Sequence, residues 1–86
     1  MIIRDIKVRL SEAGDVNRFV KLVTNCQIEA DARTVKNGRH IVPADSIMGM
    51  YSLDLRENLL ISIVRGEEEM VDRFVMGCSS NNWLIK

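Results

Sequence analysis

Six consecutive residues, Leu59-Leu60-Ile61-Ser62-Ile63-Val64, set the strongest limit on what this chain can become. They are its longest apolar run, broken only by Ser62, and far too short to span a bilayer, which takes about 20 apolar residues in a helix. Bounded by the polar turn Arg56-Glu57-Asn58 and by Gly66, the run reads as a strand apolar enough to lie centrally in a sheet. With 86 residues in all, the chain can build one modest core around that strand but not two.

The flanking segments alternate between strand and helix periods. Ile2 to Leu10 places Ile6, Val8 and Leu10 on one face and Lys7 and Arg9 on the other, the pattern of a strand with one wet side. Ser11 to Gly14 breaks it, and Asp15 can cap a helix that carries Phe19, Leu22, Val23 and Cys26 at i, i+3, i+4 and i+7, with Arg18, Lys21 and Asn25 toward water. Ala32–Val35 and Arg39–Val42 flank Lys36-Asn37-Gly38, and Asn-Gly between two strand-like runs predicts a tight hairpin. The only histidine, His40, falls in the second of these strands as a surface or edge residue.

Pro43 closes the hairpin, and Asp45 and Ser46 then offer side-chain acceptors ahead of a short helix with Ile47, Met50 and Tyr51 on one face. Gly49 inside that helix costs roughly 1 kcal/mol relative to Ala, so its presence points to close packing or a partner's approach. After the central strand, Glu67 to Glu69 put negative charge on the first turn of a last helix carrying Met70, Val71, Phe74 and Val75, with Gly77 as its expected stop. Ser79 to Asn82 reads as loop, and Trp83, Leu84 and Ile85 either fold back onto the body or bind elsewhere. The division predicted is a domain over residues 1–78 and a tail over 79–86. The order βαββαβα implies an α+β fold with helices on one side of an antiparallel sheet, although its first six elements equally fit the ferredoxin-like split βαβ.

Composition narrows the function. Lys and Arg number 12 and Asp and Glu 12, so no polyanion-seeking field is implied, and an aromatic content of 5% leaves no stacking platform; nucleic acid is disfavoured as a partner. Cys26 and Cys78 stand far apart without metal-site or Cys-x-x-Cys spacing and read as reduced, buried or half-buried thiols rather than a redox pair or metal site. No metal, cofactor or membrane is expected, and the location expected is the cytoplasm.

The stretch Ser46-Ile47-Met48-Gly49-Met50-Tyr51-Ser52-Leu53 closely resembles the Ser-Ile-Met-Gly-x-x-Ser-Leu signature of HPr, the phosphocarrier of the bacterial phosphotransferase system, in its Gram-positive form. Asn37-Gly38-Arg39, Phe19-Val20-Lys21 and Gly66-Glu67-Glu68 are similar to further parts of that family. The resemblance implies an open-faced β-sandwich, a four-stranded antiparallel sheet covered by three helices on one side. It also implies what is missing. The family's carrier histidine lies at the start of the first helix in a His-x-Arg-Pro context, where Asp15, Asn17 and Arg18 stand here. Phosphocarrier activity is therefore not expected, and Asp15 reads as a helix cap rather than a phosphoacceptor, since no carboxylate cluster is present to hold magnesium.

Ser46 matches the serine that HPr kinase/phosphorylase modifies in the family, including the histidine-lacking catabolite-repression HPr-like protein. The phosphoprotein then binds a transcriptional regulator in carbon catabolite control, and Ile47 and Met48 match the apolar partner contact. Asp45 stands where the family often has lysine, and its carboxylate would repel a phosphate beside it. The resemblance also allows a homodimer through the first strand, with Ile2 and Ile3 supplying apolar contacts. The function expected is thus a non-enzymatic regulatory or interaction protein. Its rivals are an HPr-fold scaffold or self-associating domain without phosphorylation, and a ferredoxin-like small-ligand module.

Overall fold

A computed structural model, describing residues 2–85, arranges the chain as β1 (Arg4–Val8), α1 (Asp15–Asn25), β2 (Glu29–Thr34), β3 (Val42–Pro43), α2 (Ile47–Tyr51), β4 (Leu59–Arg65) and α3 (Glu68–Ser80). Met1 and Lys86 lie outside the described residues. The strands form one antiparallel sheet in the order β1-β4-β2-β3, an α+β open-faced sandwich with three helices on one side. That order separates the two topologies the element sequence allows. Here β4 and β2 are inner strands, whereas a ferredoxin-like sheet keeps its first and third strands inside.

The apolar run Leu59 to Val64 earns its central place through pairing on both sides, Leu59 facing Val8 of β1 and Thr34 of β2. Leu59, Ile61 and Ile63 are fully buried beneath the helices. The α1 period holds as well: Val16, Phe19, Val20 and Val23 are buried, while Arg18, Lys21 and Asn25 face water. Phe19 is the hub, with the Phe74 ring edge-on at 5.7 Å and the Trp83 ring edge-on at 5.8 Å. Such T-shaped contacts set the positive edge of one ring against the negative face of another.

Three expectations are corrected. The hairpin between β2 and β3 exists, but β3 is only Val42–Pro43, so His40 lies in an exposed loop rather than a strand. Gly38 lacks the positive φ that a type I′ turn needs. Instead the Asn37 N–H donates to Thr34 Oγ1 at 2.9 Å and the Arg39 N–H to Asn37 Oδ1 at 3.3 Å, local bonds that compete with a ladder, and Pro43 has no N–H to extend one.

The second correction concerns Gly77, which lies inside α3 rather than ending it. A Cβ there would sit 2.8 Å from Leu22 Cδ2, so the glycine lets α1 and α3 approach. The helix stops three residues later, after Ser80, where Asn82 takes φ 60°. The Trp83 N–H reaches the Cys78 carbonyl at 2.9 Å and the Asn82 N–H the Ser79 carbonyl at 3.0 Å, the paired bonds of a Schellman cap. Ser79 and Ser80 are therefore helical rather than loop.

The tail then folds back. Leu84 bridges to Val8, the Arg9 N–H donates to the Trp83 carbonyl at 2.8 Å and the Ile85 N–H to the Lys7 carbonyl at 3.0 Å. Trp83 is 2% exposed, so of the two fates open to this segment the chain adopts docking on its own body.

Candidate functional site

The α2 start is built by one side chain. Ser46 is extended (φ −102°, ψ 112°), and its Oγ accepts the Gly49 N–H at 3.0 Å, satisfying an amide that has no helical partner. Ser46, not Asp45, is thus the cap, and Asp45 is exposed beside it. Gly49 allows the close packing its cost implied: a Cβ would lie 3.1 Å from both Ser46 Oγ and Val42 Cβ.

The helix is five residues long, too short to bury the whole face expected of it. Met50 is fully buried, but Ile47 is 46% and Tyr51 53% exposed, which corrects the expectation that all three share one covered face. Met48 is 83% exposed. A short helix over the two-residue edge strand β3 has room beneath it for one anchor only, so apolar side chains at its ends project past the sheet.

Ile47 lines a shallow groove together with Asn17, Arg18 and Lys21 of α1. The groove brings two of the three residues at the degenerate carrier position against one of the two expected partner contacts. Asp15 and Ser46 are not part of it, and neither is Met48.

Asp15 is closed off. It is the first residue of α1 rather than its cap, a position held by Gly14 in the left-handed region (φ 84°). Its Oδ2 accepts the Glu12 N–H at 2.9 Å and its Oδ1 accepts the Arg18 guanidinium at 2.6 Å, with the Asp15 side chain 5% exposed. Burial pushes the carboxyl up, but the Glu12 amide, the Arg18 guanidinium and the Trp83 indole together more than offset it and hold the group below its usual range. Both oxygens are engaged and the carboxylate is covered.

Sequence reasoning missed a pair at the far end of α2. His40 Nε2 lies 2.8 Å from Ser52 Oγ. The Ser52 hydroxyl donates to the Gly49 carbonyl at 2.6 Å, so His40 is the donor in this bond. With its proton turned to a carbonyl, Ser52 is not set up as a nucleophile. Only the tertiary approach of the 35–41 loop to α2 makes the pair, and no spacing in the chain signals it.

The thiols are inert by position. Both are buried, and burial together with the neighbouring Cys26 pushes Cys78 up to about 12, so it is protonated at neutral pH. Among the described residues no three His, Cys, Asp or Glu side chains converge as a metal site, and no helix is long and apolar enough to cross a membrane. No protein-family model and no curated protein matches the chain.

Proposed function

We propose that this chain is a non-catalytic, cytoplasmic interaction module of the HPr-like kind, without carrier chemistry, whose docking face is the α1–α2 surface and whose switch is phosphorylation of Ser46. The observation that carries this reading is the exposure of Ile47 and Met48, 46% and 83%, directly after a capping serine. Exposed methionine suits adaptable partner contacts. Arg18 and Lys21 stand beside Ile47 in the α1–α2 groove and give the docking face basic character, while a phosphoryl group on Ser46, carrying about −1.5 to −2 charge, would be opposed by Asp45 next to it. The expected modifying enzyme is an HPr kinase/phosphorylase, and the expected partner of the phosphoprotein a catabolite-control transcriptional regulator.

The absence of carrier function in this proposal is supported by Asp15, which is buried and ion-paired at the position where the family's histidine accepts phosphate. A second reading, a scaffold without any modification, draws support from Ser46 Oγ being already committed to the Gly49 amide and from Asp45 next to it.

Intact-mass analysis after two separate incubations separates these readings, one with ATP and HPr kinase and one with phosphoenolpyruvate and enzyme I. The proposal expects one phosphate from the kinase, abolished by Ser46→Ala, and none from enzyme I. No phosphate from either source would leave the scaffold reading in place; phosphate from enzyme I would overturn the account of Asp15.

A further inference from the structure

The sheet face turned away from the helices carries charges sorted by row. Register sets Asp5 of β1, Ser62 of β4 and Asp31 of β2 side by side, and sets Lys7, Leu60 and Arg33 side by side in the adjacent row of that face. One row is thus acidic at both flanks of a small residue, and the next is basic at both flanks of a large apolar one. Among the described residues none of these four charged groups makes an ion pair within the molecule. Ser62 is only 5% exposed and its hydroxyl has no hydrogen-bond partner, so the centre of this face is a closed spot that gains little from water.

Such a pattern is complementary to itself. We propose that the open face docks a second copy of this chain about a two-fold axis lying in the interface, perpendicular to the strands and between the Ser62 and Leu60 rows. Each Lys7 then meets Asp5 of the second copy, each Arg33 meets Asp31 of the second copy, and Leu60 projects over the small Ser62. The charges select this geometry. A two-fold parallel to the strands would oppose Lys7 with Arg33 and Asp5 with Asp31, and moving the axis onto either row would oppose like with like. Like charges brought together across an interface are what excludes a wrong arrangement, and a two-fold contact repeats every favourable pair. Sheets stacked face to face sit about 10 Å apart with strands about 30° from alignment, within reach of lysine and arginine side chains.

The contact is small. Four strands about 4.8 Å apart, the longest of seven residues, give a sheet face of roughly 19 by 23 Å, which keeps the contact at the low end of specific interfaces, under about 1,200 Å² in total. A dimer with a dissociation constant on the order of 10–100 μM, weakened by salt, is expected. It leaves the helical layer, with the exposed Met76 of α3, outside the contact.

The test is sedimentation equilibrium on the full chain from about 10 μM to about 1 mM, at low and at high salt. Two double variants, Lys7→Glu with Arg33→Glu and Asp5→Lys with Asp31→Lys, should each be monomeric throughout, and their equimolar mixture should form a 1:1 dimer tighter than the parent. That restoration also shows that both variants fold. Met76→Asp, on the opposite side of the sheet, should dimerise like the parent. A parent monomeric at the highest concentration, a double variant that self-associates unchanged, a mixture that stays monomeric, or loss of the dimer in Met76→Asp would each overturn the proposal.

Discussion

The two helix starts on the same side of the sheet have opposite surfaces. At α1 the short acidic side chain of Asp15 is covered and held by the Glu12 amide and Arg18; at α2 the capping Ser46 is followed by two exposed apolar residues, Ile47 and Met48. Local sequence grammar is nearly the same in both, a short polar acceptor ahead of apolar positions. What differs is the cover. The α1 start lies near Trp83, brought back by the tail, whereas α2 lies at the edge over the shortest strand. A helix start becomes a buried fixture or a docking surface according to what the rest of the fold lays beside it.

Removing the cover should give the largest effect. Trp83→Ala deletes a ring packed on Phe19 and loosens the Asp15 surroundings, and a loss of roughly 3–5 kcal/mol is expected for a buried Trp, read as a lower urea midpoint. If α1 keeps its stability without Trp83, the tail is not what closes that start.

A smaller effect follows from pH. The folded Asp15 carboxyl sits below its ordinary value, so its stabilisation is fully present above the unfolded pKa, about 3.9, and is lost as pH falls through the folded value. Urea midpoints should therefore drop more steeply below about pH 4 in the parent than in Asp15→Asn. Asp54, lowered by its hydrogen bonds to Arg56, titrates in both proteins and cancels from the difference. Ser46→Ala should cost only about 1 kcal/mol, the usual worth of a cap, and leave the acid slope unchanged. An equal slope in Asp15→Asn would contradict the closed α1 start.

The legible parts of the chain were those whose pattern is set by the core. The apolar run of β4, the 3.6-residue period through Phe19 and Val23, the acidic start of α3 and the Ser46 cap all state locally what the fold needs. Gly77 did not, because its reason is the Leu22 side chain across on α1. The Asn37-Gly38 turn misled because Thr34, the last residue of β2 and three positions before Asn37, captures the loop backbone first. At the site, burial of Met50 but not of Ile47 or Tyr51 depends on how little sheet lies under α2, and the closure of Asp15 depends on a tryptophan at the other end of the chain. Neither is written in any window of adjacent residues.

The most direct measurement of the central claim is calorimetric titration of a catabolite-control regulator with the protein, unmodified and carrying phosphate at Ser46, together with Met48→Lys in both states. The α2 docking surface predicts at least a tenfold gain in affinity on phosphorylation, about 1.4 kcal/mol, and its loss in Met48→Lys, which should alter folding stability by less than about 0.5 kcal/mol. Equal affinity with and without the phosphate, or binding indifferent to Met48, would contradict it.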